Sequence, residues 1–176
     1  MRRIVSRHQR WRGEECINLI PSENVTSHTV RQLLSSDMGH RYTADDRFYR
    51  GTRFLDEIEA LGEKIACEVF GSEWASLRPL SGHMADMIMV STLTRRGDAI
   101  LTVSPSNGGY PGLGDQGYPP FAGVRNLYFP YDSDRMNIQV EEARSLIEKE
   151  KPALVVFGQS FLLFPHPVRD LGDTCR

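Results

Sequence analysis

The sequence predicts an α/β fold in which helices cover a mainly parallel sheet. Short apolar runs typical of buried strands alternate with stretches of helical periodicity after residue 53. Such alternation is the pattern of strands joined by crossover helices. Two of the strand-like runs, residues 99–103 and 153–157, are of the apolar type found in sheets covered on both faces.

The predicted elements follow one another at short intervals. Residues 54–70 have apolar side chains at helical spacing and are followed by Gly71, which is typical of a helix end. Further helices are predicted over residues 83–95 and 138–150. Strands are predicted at residues 74–77, 99–103, 124–129 and 153–157. The segment 104–123 has six Gly and four Pro, and a loop of this length is usually functional or mobile.

Composition excludes several classes of protein. The net charge of -2 and the sequence pI of 6.2 give no sign of a nucleic-acid or anionic-membrane partner. No apolar run approaches the ~20 residues of a membrane helix. The three cysteines are far apart and form no CxxC pair, which favours a reducing, cytoplasmic location and argues against a zinc site. The Arg-rich opening has no cleavage signal and is interpreted as a surface helix rather than a transit peptide.

The tripeptide Ser81-Gly82-His83 follows a predicted strand and opens a predicted helix. Unpartnered N–H groups and the helix dipole at such a position can hold a phosphate group. Gly82 would let the backbone approach the anion. Ser is also a common N-cap, and the tripeptide alone favours capping.

Three other segments carry polar or aromatic side chains suited to a site. Tyr110 follows Asn-Gly-Gly in the long loop and is interpreted either as a packed aromatic or as a ring that stacks on a flat cofactor. Ser22 lies in a polar turn, where it or Asn24 could cap the following helix. Tyr42 and Tyr49 lie in an Arg-rich loop that could be a site or an interface.

The order of six segments resembles that of the serine hydroxymethyltransferases. These segments are INLIPSENVTS, HRYTADDRFYRGT, FLDEIEALGEKIACEVFG, RPLSGHMADM, TRRGDAILTVSPSNGGYPG and KPALVVFGQS. The resemblance implies the fold type I architecture of pyridoxal-phosphate enzymes. That architecture has a large three-layer domain, a smaller C-terminal domain and a homodimer with shared active sites. Residues 1–50 would form an N-terminal helix with active-site and dimer loops, and residues 51–176 an incomplete cofactor-binding domain.

The resemblance implies roles for individual residues. Ser81, Gly82 and His83 match the phosphate turn, where the family usually has Ser-Gly-Ser. Tyr110 matches the ring, normally His, that stacks on the pyridine, and Ser160 matches a residue near the phenolic oxygen of pyridoxal 5'-phosphate.

On the substrate side, Ser22 matches a serine near the substrate carboxylate and Tyr49 a tyrosine at the substrate end. Tyr42 matches the tyrosine that reaches the phosphate of the neighbouring subunit's cofactor. Ala44 replaces the family's proton-handling Glu, and Asp45 or Asp46 is the candidate substitute.

The resemblance also implies that the Schiff-base lysine and the acid paired with the pyridine nitrogen lie beyond Arg176. The lysines of the sequence, Lys64, Lys149 and Lys151, are expected to be solvated. We therefore expect a fragment of an enzyme that transfers one-carbon units between serine and glycine with tetrahydrofolate, inactive alone. The alternatives are a threonine-type aldolase or transaldolase, and a non-catalytic binding module.

Overall fold

A computed structural model describes residues 1–20, 22–43 and 50–176. The chain divides into two compact units, residues 1–77 and 78–176, and each is described by itself. The predicted boundary between residues 50 and 51 concerns the domains of an intact enzyme and stays a prediction.

The regular secondary structure among the described residues of the first unit is helical. Its helices are α1 (Arg2–Arg10), continued by a π-helical turn at Trp11–Glu15, then α2 (His28–Leu34) and α3 (Arg53–Phe70). Short 3-10 turns occur at Asp37–His40 and Arg50–Thr52. Helix α3 ends as predicted, at Gly71 with a left-handed φ of 62°.

Helix α2 corrects two expectations about capping. Its N-cap is Ser27, whose Oγ accepts a hydrogen bond from the backbone N–H of Val30 at 3.2 Å. The candidate caps Ser22 and Asn24 therefore do not serve this helix.

The strand predicted at residues 74–77 is also wrong, because those residues form no strand.

The second unit is a three-layer α/β structure. Its helices are α4 (Gly82–Leu93), α5 (Tyr118–Phe121), α6 (Val140–Glu150) and α7 (Val168–Gly172). Its strands are β1 (Ala99–Thr102), β2 (Arg125–Tyr128), β3 (Tyr131–Asp132), β4 (Asn137–Ile138) and β5 (Leu154–Val155). The order β2-β1-β5 is parallel throughout, and β3 pairs with β4 as a small antiparallel hairpin that the sequence patterns did not predict.

Strand β1 forms the centre of the core, and all four of its residues are buried. On one face, Ile100 packs in a cluster with Val90 of α4 and with Leu113 and Val124. On the other face, Leu101 packs with Ala143 and Ile147 of α6 and with Leu171 of α7. Each such aliphatic side chain contributes roughly 1.5–3 kcal/mol when fully buried, so the double-sided burial predicted from the apolar runs holds β1 in place.

The long loop is ordered by its own close contacts. It contains 3-10 turns at Pro105–Asn107 and Pro111–Leu113 as well as helix α5. A Cβ at Gly109 would lie 1.9 Å from the backbone oxygen of Val103, so only glycine fits there. The loop therefore folds back tightly onto the end of β1.

We expect Leu171→Ala to lower the free energy of unfolding by about 2–5 kcal/mol, because it leaves a cavity among fully buried side chains. Leu171 is 0% exposed in the core cluster that covers one face of β1. The matched control is Leu163→Ala. Leu163 is 70% exposed, so this substitution should change the free energy of unfolding by less than about 0.5 kcal/mol. Urea titration followed by circular dichroism measures both, and equal losses would contradict this description of the core.

Candidate cofactor site

The candidate site lies at the carboxyl ends of β1 and β5. The chain leaves β1 toward β2 on one side, and β5 pairs with β1 on the other side. Open parallel sheets bind ligands in the crevice outside the carboxyl ends of their strands, at the point where the connections leave on opposite sides, and the loops after β1 and β5 lie at that position. The backbone N–H of Ser160, after β5, donates to the carbonyl oxygen of Gly108, after β1, at 2.8 Å.

The first turn of helix α4 presents exposed hydrogen-bond donors. Ser81 is the N-cap, with an extended backbone and an Oγ that accepts from the Met84 N–H at 3.1 Å. The capping interpretation of Ser81 is therefore confirmed, and its hydroxyl hydrogen remains able to donate. Within the described part of the chain, the N–H groups of Gly82 and His83 have no hydrogen-bond acceptor.

The start of α4 suits a phosphate group in both donors and space. A Cβ built on Gly82 would meet no atom within 4 Å, and Ser81, Gly82 and His83 are all exposed. Anions in proteins bind to free N–H groups, neighbouring hydroxyls and the positive ends of helices. All three occur at the start of α4, a 12-residue helix. The residues present therefore fit the phosphate end of pyridoxal 5'-phosphate.

Tyr110 contacts the first turn of α4 through His83. The Tyr110 hydroxyl lies 3.2 Å from His83 Nδ1, and the two rings meet edge to face with centroids 5.9 Å apart. Tyr110 also packs partly against the apolar cluster around Val90 and Ile100. His83 and Tyr110, two of the positions at which the chain departs from the usual family residues, thus touch each other, although 27 residues separate them in sequence.

Gly112 makes room for this pair. A Cβ at Gly112 would lie 2.4 Å from Tyr110 Cε1 and 2.8 Å from His83 Nδ1. Any side chain at position 112 would therefore push the tyrosine ring or the imidazole away. Sequence patterns did not identify Gly112, because glycines are frequent throughout this loop.

Asp86 is a second residue that sequence patterns missed. It lies three positions after His83 on α4, and burial is the main cause that raises the pKa of its carboxyl group. The positive charge available to His83 acts in the opposite direction and lowers that pKa. The i, i+3 spacing on a helix was the signal that could have joined the two residues.

The loop after β5 contributes Ser160 and its neighbour Gln159. Ser160 is exposed and is joined by its backbone to Gly108. Gln159 donates its amide hydrogen to the Phe161 carbonyl oxygen. Its Oε1 is buried and has no partner among the described residues, so an acceptor atom remains available beside Ser160.

The remaining predicted residues lie in the first unit or outside the described chain. Ser22 and Tyr42 are both exposed. Asp45 and Tyr49, like Ala44 and Asp46, lie outside the described residues. Their predicted roles stay predictions.

The lysines are exposed, as expected. The Lys64 side chain is 73% exposed on α3 and lies 3.8 Å from Glu68. The Lys149 side chain is 78% exposed near the end of α6, and Lys151 follows that helix in an exposed position. Because α6 ends just before β5 begins, Lys149 and Lys151 lie toward the amino edge of the sheet, opposite the crevice.

The described residues hold neither a metal-binding cluster nor a helix suited to a membrane. No group of three His, Cys, Asp or Glu side chains is placed to hold a metal ion. None of the described helices has the length and apolar character needed to cross a membrane.

Comparison with known proteins gives a consistent result. The family model for serine hydroxymethyltransferase matches residues 2–164. The serine hydroxymethyltransferase of Thermococcus onnurineus is 39% identical over 177 residues, and that of Methanopyrus kandleri is 39% identical over 171 residues. In each case the match covers 96% of this chain and 40% of the relative. The chain thus spans about 40% of the length of these curated relatives.

A solved structure supports the fold. The L-threonine transaldolase of Pseudomonas fluorescens superimposes with a TM-score of 0.85 and 17% sequence identity, over 99% of this chain and 41% of that one. At this identity the likeness concerns the fold alone, and it agrees with the predicted α/β architecture. The family match and the sequence relatives together establish that the chain belongs to the serine hydroxymethyltransferase family.

Proposed function

We propose that this chain supplies the phosphate- and ring-binding part of a pyridoxal-phosphate enzyme that transfers one-carbon units between serine and glycine, with tetrahydrofolate as the carrier. One observation carries the proposal: in a chain of this family, the free N–H groups at the start of α4 occur together with a tyrosine ring in contact with His83. Cofactor enzymes use the protein mainly to bind, orient and tune the reactive group.

The phosphate group is assigned to the first turn of α4. The N–H groups of Gly82 and His83 would donate to its oxygens, and the Ser81 hydroxyl would add a donor while its oxygen keeps the cap. An exposed position suits this role, since the anion must reach the backbone. Gly82 would allow the closest approach, because no atom of the chain occupies the space in front of it.

The cofactor ring is assigned to the carboxyl ends of β1 and β5, beside the joined loops that follow them. Tyr110 would orient the ring by stacking, and Ser160 would donate a hydrogen bond near the phenolic oxygen. When bound, the cofactor supplies an electron sink for cleavage of a bond to the substrate Cα. The chain's own contribution is to fix the phosphate and the ring plane, so that the bond to be cleaved is held in one orientation.

The substrate and folate sides rest on the family assignment. Ser22 and Tyr49 are proposed to bind the amino acid, and Tyr42 to reach the phosphate of a neighbouring subunit's cofactor in a homodimer. Asp45 is proposed to handle a proton where the family has Glu. The alanine at position 44 and the tyrosine at position 110, where the family usually has Glu and His, keep a threonine-type aldolase or transaldolase as the second candidate function.

We expect Gly82→Asp to weaken binding of inorganic phosphate and of pyridoxal 5'-phosphate at least about tenfold, because a carboxylate would occupy the anion position. The same carboxylate should leave the free energy of unfolding unchanged or raise it by about 0.3–1 kcal/mol through the helix dipole. Equilibrium dialysis measures binding, and urea titration measures stability.

The matched control is His28→Asp. His28 is the first residue of α2 and follows a serine that caps the third N–H of its helix, which is the arrangement of Ser81 and Gly82 in α4. This substitution should leave both affinities unchanged. Normal phosphate binding by Gly82→Asp would contradict the assignment of the phosphate group to the start of α4.

For the enzyme that contains this chain, we expect formation of glycine from serine to require tetrahydrofolate, because the carrier accepts the one-carbon unit. The measurement is glycine formed with and without the carrier, each with the cofactor present. A threonine-type aldolase or transaldolase would instead act on a β-hydroxy amino acid without folate, and that result would replace the main proposal by the second.

We expect borohydride reduction of the chain with pyridoxal 5'-phosphate to give no stoichiometric adduct at Lys64, Lys149 or Lys151, because the three are exposed side chains outside the crevice loops. Peptide mass spectrometry locates any adduct. Inorganic phosphate is the control, since it should suppress only labelling that depends on the phosphate site. A single lysine labelled fully and protected by phosphate would contradict this expectation.

A further inference from the structure

His83 and Tyr110 form a hydrogen-bonded pair at the exposed start of α4. The hydroxyl oxygen and Nδ1 are 3.2 Å apart, within the range of a hydrogen bond. His83 is exposed, whereas Tyr110 is half-buried against the apolar cluster around Ile100. The tyrosine is therefore the anchored member of the pair, and the imidazole is the member available to a ligand.

We propose that Tyr110 is a positioning residue that holds the His83 imidazole as a side-chain donor to the phosphate group bound at the start of α4. The inference rests on the proposed function, because it assigns a residue to that same phosphate site. It adds a role for the hydroxyl of Tyr110 that is separate from any stacking by its ring.

The hydrogen bond selects one form of the neutral imidazole. We assign Tyr110 as the donor to Nδ1, because a phenol hydroxyl is a good donor and an unprotonated imidazole nitrogen a good acceptor. The hydrogen of the neutral ring is then held on Nε2, since the bond made by one ring nitrogen sets the state of the other. His83 thereby presents an N–H donor without needing a positive charge.

The surroundings of Tyr110 limit where this hydroxyl can lie. The backbone turn before Tyr110 is fixed by the close approach of Gly109 to the Val103 carbonyl oxygen. Gly112 lies against both the tyrosine ring and the imidazole. The Tyr110 hydroxyl is thus held by packing as well as by the hydrogen bond. Holding a binding group in place beforehand reduces the entropy lost when a ligand is bound.

The test compares Tyr110→Phe, His83→Ala and the double variant in the full chain. We expect His83→Ala to weaken inorganic phosphate binding on the order of tenfold, as for loss of one hydrogen bond to a charged group. Tyr110→Phe keeps the ring and should weaken inorganic phosphate binding about threefold or more. The double variant should bind like His83→Ala, because the hydroxyl acts only through the imidazole.

A spectroscopic measurement reports the pair directly. In protein labelled with nitrogen-15 in histidine, the neutral His83 ring should show the Nε2–H form in the wild type and a mixture of both forms in Tyr110→Phe. Gly112→Ala should give a similar mixture, because its methyl group displaces one ring from the other while both residues remain.

Tyr118→Phe is the matched control. Tyr118 also bonds through its hydroxyl to a residue of α4, Ser91, at 2.8 Å. Ser91 lies eight residues after His83, so this variant should change neither phosphate affinity nor the state of the imidazole.

The outcomes separate the inference from the proposed function. If phosphate and pyridoxal 5'-phosphate leave the amide signals of Gly82 and His83 unchanged in the wild type, the phosphate site itself is wrong. If the wild type binds both but Tyr110→Phe binds equally well, or shows the wild-type imidazole form, the inference is overturned and the phosphate site stands. A further loss in the double variant would also overturn it.

Discussion

The position of β1 between two parallel neighbours is the constraint on which the second unit depends. Its pairing with β2 on one side and β5 on the other makes two connections diverge at one edge of the sheet. Burial on both faces, against Val90 on one side and Leu171 on the other, prevents the strand from shifting. A one-residue slip would exchange Ile100 and Leu101 between the two apolar layers. The placement of the loops after β1 and β5 at this edge is therefore a consequence of core packing.

The same packing explains why the start of α4 and the loop after β1 meet. Val90 fixes α4 against Ile100, while Gly109 lies against the end of β1, and these two contacts bring His83 to Tyr110. His83 and Tyr110, which both differ from the usual family pattern, are consequently coupled. An imidazole and a hydroxyl are both present in the pair, although each stands where the resemblance implies the other kind of group. A change at either position alters the surroundings of its partner.

Sequence patterns predicted most of the second unit because residues 99–103 and 153–157 are short apolar runs typical of buried strands and because Gly97 marks the end of the helical pattern of α4. They failed where elements are very short. Residues 74–77 have a strand-like composition but gain no partner strand, and β3 and β4 have two residues each, too few for any periodicity. The phosphate turn was predictable because it is local. The contact of His83 with Tyr110 was not, since it depends on how α4 packs on β1. Asp45 and Tyr49 lie outside the described residues, so their roles stay predictions.

The scarcity of lysine has a practical consequence for the study of this protein. Only three lysines are available to amine-reactive reagents, and those at the end of α6 lie at the edge of the sheet opposite the crevice. Coupling a fluorophore or a solid support through Lys149 or Lys151 would therefore leave the phosphate turn facing the solution. The abundant arginines do not react under these conditions. At these two lysines of the second unit, conjugation is thus directed away from the ligand without replacing a residue.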